Sequence, residues 1–534
     1  MGYRFGDTIL NSMRSIWGWG LQAQEPTSRE RRHAARAMSK RFETELEVIS
    51  PPTIDRIVIR PSRLDPPVSL AGLCTKDSYE RITHSYGHSY RDRVRKFRGD
   101  FQNPPDLVAY PGHEQDVTDI LDWCADGGIA AIPFGGASSV VGGVEPPSTA
   151  VGSISIDMAR IGQVLEVDAT SRAARIQGGA FGPAIEASLK PAGFTLRHYP
   201  QSFEFSTLGG WIATRSAGHY ATNHTHIDDF VESIRMVTPA GVWESLQLPG
   251  SGAGPSPDRM VLGSEGIFGV ITEAWIRVQP RPRFRQSAGV QFKTFQATVE
   301  AARAIVQAKL WPANCRVLDP EEAAMSAGLD GETALLMLGF ESADVPQDNL
   351  MAIACDIAQD AGGILSTEND HNPVLTWRES FIQAPYRWNR RAGIGLIEDT
   401  FETAVTWERW PELDRLVRKA VCNAMQRVCG GGVISCRMTH VYPDGPAPYY
   451  TFIAPSRPGS ELSMWSEIKE AASNAILEAS GTITHHHAVG RDHRLWYDRQ
   501  RPELFASALR AAKSALDPAW IMNPGVLLEE RPAH

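Results

Sequence analysis

The chain has 534 residues, 42% of them hydrophobic and 22% charged, with a formal net charge of −9. That length exceeds one ordinary domain and calls for two or three. The charge excludes nucleic-acid binding driven by net charge, and no apolar run is long enough to span a bilayer.

Seven cysteines, Cys74, Cys124, Cys315, Cys355, Cys422, Cys429 and Cys436, form no C-x-x-C pair and are odd in number. They read as mostly buried free thiols in a reducing compartment. The first twenty residues, MGYRFGDTILNSMRSIWGWG, lack the apolar core and cleavage site of a secretory signal. Ile9, Leu10, Ile16 and Trp17 can share one helical face with Trp19 beside them, but the closing glycines weaken a helix. Docking onto the protein's own body is therefore preferred to lying on a membrane. Arg29, Arg31, Arg32, Arg36, Lys40 and Arg41 read as a solvated helix face rather than a lipid-binding patch. PPTIDRIVIRPSRLDPPVS is an extended, proline-punctuated connector. Residues 75–99 are helical in part, and Arg91, Arg93, Arg95, Lys96 and Arg98 there face either an anionic ligand or water.

From Pro104 the pattern becomes strand, turn, amphipathic helix, strand, glycine loop. Ile120, Leu121 and Cys124 make the inner face of the helix, and Gly127-Gly128 ends it. Residues 129–134 form a short buried strand, and GGASS follows at once. A small-residue loop after a strand cradles phosphate with backbone N–H groups, although its spacing is neither G-x-G-x-x-G nor a Walker loop. Two or three strands, Gly178-Gly179, a helix and a strand ending at His198 come next. PQSFEFSTLGGWIATRSAGHYAT then alternates hydroxyls with aromatics and runs into Gly209-Gly210, which allows close approach to the main chain. DDFVESIRMVTPAG alternates apolar and polar residues as an edge or hairpin strand does, and GSEGIFGVIT repeats the glycine pattern before another strand. The whole reads as an α+β nucleotide-binding domain.

From about residue 284 to 484 the chain is richer in helices, with strand-like runs at 333–340 and 432–439; it reads as a substrate cap, an antiparallel sheet covered by helices. Arg316 in NCRVLD and Arg437 in ISCRMTHVYP stand between apolar neighbours, where a guanidinium is costly to bury unless it meets an anion or a structural ion pair. Tyr449 and Tyr450 in PAPYYTF point to opposite faces of a strand, so only one of them can reach a given site. His485, His486 and His487 form a tract of the kind that binds metals. Adjacent histidines at a strand end cannot all face one ion, and no cysteine or carboxylate lies in ligand spacing nearby, so acid–base work is preferred and no metal is expected. His219, His224 and His226, in HYATNHTH, read as a surface loop without a role.

The series P-D-x-V-x-x-P, I-P-F-G-G-A-S-S, S-F-E-F-S-T-L-G-G-W and G-S-E-G-x-x-G-V-I-T-E-A resembles the FAD-binding domain of the vanillyl-alcohol-oxidase type. Within that superfamily the chain resembles the alkyldihydroxyacetonephosphate synthase family nearly end to end, through MRSIWGWG at 13–20, Phe401-Glu402-Thr403, SCRMT at 435–439 and THHHAVG. The resemblance implies an α+β fold, an FAD-binding domain plus an α/β cap. Residues 1–102 would be an N-terminal helical and extended segment, 103–282 the FAD-binding domain and 283–484 the cap. Residues 485–534 would carry the triple histidine and, through DPAWIMNPG, pack back on the FAD domain.

It implies non-covalent FAD, since the glycine loop has no His or Cys for attachment. Pro133, Phe134, Gly135, Gly136, Ala137, Ser138 and Ser139 would hold its pyrophosphate. Gln201, Ser202, Phe203, Glu204, Phe205, Ser206, Thr207, Gly209, Gly210, Thr214, Arg215, Ser216 and Ala217 would flank the flavin, with His198 near the ring. Glu265, Gly266, Ile267, Phe268, Gly269, Val270 and Ile271 would bind the far part.

The implied activity exchanges the acyl chain of acyl-dihydroxyacetone phosphate for a long-chain alcohol through an adduct at flavin N5, with no net redox change. In it Arg437 grips the substrate phosphate, Arg316 positions its neighbours and Tyr449 is the acid/base. His485, His486 and His487 assist departure of the fatty acid, and Trp377, Phe381 and Trp388 are candidates to line the acyl tunnel. Tyr449-Tyr450 departs from the family's Tyr-Phe-Tyr, and Ala488 stands where the family usually has glycine. The alternative activity is an FAD-dependent oxidase or dehydrogenase of a hydroxy acid. The resemblance also implies a homodimer; the expected location is the cytoplasm, with peripheral contact to the membrane.

Overall fold

The computed structural model describes residues 12–220, 222, 224–366 and 373–530. Ile9 and Leu10 lie outside them. Trp17 and Trp19 are buried: Trp17 meets Phe97 edge-on, and the backbone of Trp19 exchanges two hydrogen bonds with the Asn389 side chain. This N-terminal strap is docked on the protein.

The helix Ser28–Phe42 opens on a capping box between Thr27 and Glu30. Its basic face is only partly solvated, contrary to expectation. Arg31 is buried over Phe97 and donates to the Ala392 carbonyl, and Arg41 pairs with Glu321. The helix Tyr90–Arg98 departs further. Arg91 and Arg95 pair with Glu145, Arg93 stacks on Trp388 beside Asp399, Arg98 pairs with Glu461 and Lys96 is buried. All but Lys96 meet carboxylates, because the helix is wedged between the two lobes, and Arg98 still reaches water.

In the first lobe β1 (Cys74–Thr75), β2 (Leu107–Ala109), β3 (Ala130–Phe134) and β4 (Ser153–Asp157) form a sheet ordered β1-β2-β4-β3, with β4 parallel to both its neighbours. The helix Glu114–Gly127 buries Val117, Ile120, Leu121 and Cys124 and ends at Gly128 in the left-handed region. Next come β5 (Val164–Asp168), β6 (Ala173–Gln177), β7 (Phe194–Thr195), β8 (Val231–Thr238), β9 (Gly241–Glu244), β10 (Val270–Arg277) and β11 (Gln279–Pro280). Five of these make an antiparallel sheet ordered β5-β6-β10-β8-β9, and β11 pairs with β7. The alternating stretch at β8 is thus half of a hairpin, and β9 is the edge. The strand expected to run to His198 stops at Thr195.

The second lobe is a seven-stranded antiparallel sheet of β12 (Phe284–Phe292), β13 (Asn314–Leu318), β14 (Ala334–Ser342), β15 (Ile364–Leu365), β16 (Leu396–Glu402), β17 (Val433–Val441) and β18 (Pro446–Pro455). Its order is β15-β12-β14-β13-β17-β18-β16. One face packs Val317, Cys436, Met438, Tyr450, Phe452 and Phe401 into the largest apolar core, against residues of the helices Phe295–Gln307, Trp410–Cys429 and Glu461–Glu478. Cross-strand register sets the other face. Leu318 lies opposite Arg437, Arg437 opposite Tyr449, and Tyr449 opposite Glu402. Residues directly opposite share a face, and so do residues two apart. Arg316, Arg437, Tyr449 and Glu402 therefore project together, away from that core and toward the first lobe.

Candidate active site

A cleft between the lobes is lined on one side by the glycine loop and on the other by this polar sheet face. The loop leaves β3 at Phe134. A Cβ on Gly136 would sit 1.6 Å from the Phe205 carbonyl oxygen, so only glycine permits the packing. Among the described residues the N–H groups of Gly136, Ala137, Ser138 and Ser139 donate to no protein acceptor. Four free consecutive amides make an anion-binding concavity.

Pro133, Phe134, Gly135, Gly136, Ala137, Ser138 and Ser139 all line the cleft, with Gln201, Ser202, Ser206, Thr207, Gly209, Gly210, Thr214, Ser216 and Ala217. Glu265, Gly266, Gly269, Val270 and Ile271 complete that wall. Several expected residues stand off it. Phe205 packs on Trp19, Phe203 stacks on Trp211, and Ile267 and Phe268 are core. Glu204 accepts from the Tyr386 hydroxyl, and Arg215 is held outward by Asp228 at 2.7 Å. His198 is also behind the wall, its ring against Trp211 and Phe230 and 3.3 Å from the Ser216 hydroxyl. Burial pushes its pKa down to about 3. Ala137, Glu265 and Ala488 adopt left-handed φ values of 58°, 50° and 69° around the site, the kind of local strain that gathers at functional positions.

On the sheet side Arg316 is 1% exposed. Its guanidinium lies 4.6 Å from the centre of Trp377 and donates to the His219 carbonyl, while Nε and Nη1 have no acceptor. Arg437 pairs with Glu322 at 3.0 Å and lies 3.9 Å over the Tyr449 ring. The Tyr449 hydroxyl donates to Thr400 at 3.0 Å. Burial raises its phenol above the ordinary value, and Arg437 and Thr400 work in the other direction. Tyr450 is on the opposite face and donates to Asp414.

The histidine tract is organised by Glu402. That buried carboxylate accepts from the backbone N–H groups of His485, His486 and His487 and from the Thr484 hydroxyl. Burial would raise Glu402, yet the histidines, Thr484 and the backbone donors hold it down to about 2. His486 and His487 line the cleft; His485 turns away to the Tyr442 hydroxyl at 2.7 Å and His226 at 3.1 Å. Burial lowers His440, His485 and His486 well below their ordinary value, leaving neutral imidazoles. Ring nitrogens of His440, His485 and His486 fall within 4.8 Å of one another. Two of the adjacent histidines thus share a focus and a carboxylate stands beside them, neither of which the sequence spacing suggested.

His219 and His226 are likewise not surface residues: His219 contacts Arg316 and Trp377, and of the three histidines only His224 is exposed. Phe381, Pro385 and Trp388, from the helix Pro373–Arg391, line the cleft, whereas Trp377 packs beneath Arg316. Sequence reasoning missed Trp19, His88, Thr400, Thr439, His440 and Asn523 in the lining. Thr400 and Thr439 lie two residues from Glu402 and Arg437, so strand alternation held the signal for them. Trp19, His88 and Asn523 arrive from distant segments; MRSIWGWG and DPAWIMNPG marked two of those segments by resemblance, without placing either residue at the site.

A family model described as an FAD binding domain matches residues 105–247, and one described as the C-terminal domain of FAD linked oxidases matches residues 281–527. An alkyldihydroxyacetonephosphate synthase of Trypanosoma brucei brucei is 31% identical over 482 residues, covering 86% of this chain and 78% of the relative. One from Dictyostelium discoideum is 32% identical, covering 85% and 78%. A solved alkyldihydroxyacetonephosphate synthase structure superposes with a TM-score of 0.78 at 28% identity, covering 92% of each chain. The cofactor is FAD, and the cleft fits it: the free amides suit a diphosphate, and glycines at 135, 136, 209, 210, 266 and 269 let a planar ring system approach the main chain.

Proposed function

The chain belongs to the alkyldihydroxyacetonephosphate synthase family, and on that premise we propose that it replaces the acyl chain of an acyl-dihydroxyacetone phosphate with a long-chain alcohol, giving an ether lipid precursor. The observation that carries this is the sheet face itself: two guanidiniums, a phenol and neutral imidazoles look across one cleft at an anion-binding loop. Bound FAD supplies a nucleophilic ring nitrogen and ends each turnover in the redox state in which it began.

The protein's own groups do the rest. Arg316, with two unpartnered donors, and Arg437 hold the substrate phosphate, so a non-reacting part of the substrate supplies the binding energy that orients it. Arg437 is already balanced by Glu322, which leaves Arg316 the larger share of that anion. Tyr449 takes and returns a proton at the carbon that carries the ester oxygen, steadied by the positive charge over its ring. The fatty acid leaves as a carboxylate with the electrons of its C–O bond. Neutral His486 or His487 accepts the proton that the incoming alcohol loses as its oxygen bonds to that carbon. Phe381, Pro385 and Trp388 offer the chains an apolar wall.

Peripheral membrane contact would lie where Arg29, His33 and Arg36 share a surface groove with Arg387, Arg390 and Arg391, on a helix that also exposes Ile382. Vesicle flotation tests that contact, and light scattering tests the implied homodimer. The activity is tested with purified FAD-loaded protein, acyl-dihydroxyacetone phosphate and hexadecanol. Alkyl ether and free fatty acid in equal amounts are expected. Anaerobic bleaching of the flavin by a hydroxy acid, with no ether formed, would replace this reading with the oxidoreductase.

A further inference from the structure

Lys96 has no task in the chemistry above. It is 6% exposed in the helix Tyr90–Arg98, whose other cations meet carboxylates. Among the described residues no ion pair is formed by Lys96. Asp92, one turn earlier on the same helix, is engaged by the Arg95 guanidinium at 2.8 Å and the Ser89 N–H. The Lys96 ammonium rests instead against the His88 imidazole, 3.3 and 3.4 Å from its two nitrogens. An ammonium buried without a counter-ion is costly, and burial accordingly pulls Lys96 down to about 7.

Its surroundings supply the missing anion. Lys96, His88 and Arg14 line a small void directly behind Gly136 and Ala137 of the glycine loop. Arg14 donates to the Gly136 carbonyl at 3.3 Å, and the His88 backbone N–H donates to the Ser139 carbonyl at 2.6 Å. His88 also borders the main cleft, as the four free amides do. His88 thus joins the void that holds the ammonium to the cleft where a diphosphate would sit.

We propose that Lys96, with His88 and Arg14, is the counter-charge of the FAD diphosphate, neutralising from behind the anion that the loop amides bind from in front. This rests on FAD occupying the cleft and adds three residues, from the N-terminal strap and the helix after it, to the cofactor site. It gives the empty protein an uncompensated charge that the bound dinucleotide relieves.

The test uses full-length apoprotein titrated with FAD, followed by flavin fluorescence, and melting temperatures with and without FAD. Lys96→Met is expected to weaken FAD binding at least about tenfold, and Lys96→Arg to stay within about threefold of wild type. Apoprotein carrying Lys96→Met should melt no lower than wild-type apoprotein, yet gain less from added FAD. A merely structural lysine gives the reverse, a lower apoprotein melting temperature with unchanged FAD affinity, and that result overturns the proposal. Should Lys96→Met fail to fold, Arg14→Ala, on the partly exposed strap, is expected to weaken FAD severalfold; unchanged affinity there overturns it equally. Wild-type protein that takes up no FAD would sink the functional reading itself, whereas FAD bound equally by wild type and variants sinks only this assignment.

Discussion

Tyr449 and Tyr450 are chain neighbours on opposite faces of β18. Tyr449 faces the cleft with Arg437 over its ring; Tyr450 is in the apolar core with its hydroxyl on Asp414. Tyr449→Phe is expected to cut ether formation at least about a hundredfold while the absorbance of bound FAD is unchanged. Tyr450→Phe should keep most of the turnover and lose about 1 kcal/mol of stability, read by urea unfolding. Strand alternation made this division legible in the sequence, although it could not say which of the two faced the cleft. The arginines were legible as buried charges but not in their balance, because Glu322, which pairs with Arg437, lies 115 positions away in the chain. Arg316→Met should therefore raise KM for the phosphorylated substrate more than Arg437→Met does, with little change toward an unphosphorylated analogue. Equal losses on both substrates would remove the phosphate role. Ala488, at φ 69°, holds a conformation that favours glycine; Ala488→Gly should stabilise the fold by about 1 kcal/mol.

The end of β16 is tied to the turn at 484–487 by Glu402, whose side chain gathers the N–H groups of three consecutive histidines. Its folded carboxyl is held at about 2 against an ordinary 4.5. The stabilisation from this group is therefore complete above the unfolded value and is lost as pH falls through the folded one. Urea midpoints should drop steeply between about pH 4.5 and 2 in wild type. Glu402→Gln should be destabilised already at pH 7, by about 3 kcal/mol, and should show a shallower acid limb. A parallel acid limb in the variant would remove Glu402 from that role. The sequence marked Phe401-Glu402-Thr403 only by resemblance, since nothing local reveals that a strand-end acid meets a turn more than eighty residues later. The helix Tyr90–Arg98 was misread for the same reason: its cations looked free because their carboxylates come from other segments.

Across the whole molecule the C-terminal segment closes the FAD lobe. Glu265 accepts from the N–H groups of Val489 and Gly490, Asn523 donates to the carbonyls of Glu265 and Gly143, and Lys513 donates to those of Ile267 and Met522. Burial pushes Glu265 up to about 7, although the two N–H donors oppose it. A carboxyl raised in this way binds its proton more tightly when folded, so its contribution falls as pH rises from the ordinary 4.5 toward about 7 and is level above that. Glu265→Gln should flatten the melting temperature across that window; an unchanged slope would assign it to other groups. The α+β lobe and the antiparallel cap were legible because hydrophobic periodicity and glycine placement are local signals. The way the strap, the wedge helix and the closing segment meet was not, since it depends on ion pairs and amide contacts between residues hundreds of positions apart.

The four unengaged amides after β3 have a practical corollary. A row of unengaged donors does not distinguish one oxyanion from another until the rest of a large ligand is read. Sulfate or inorganic phosphate would compete at that spot, so FAD uptake is to be measured in buffer free of both.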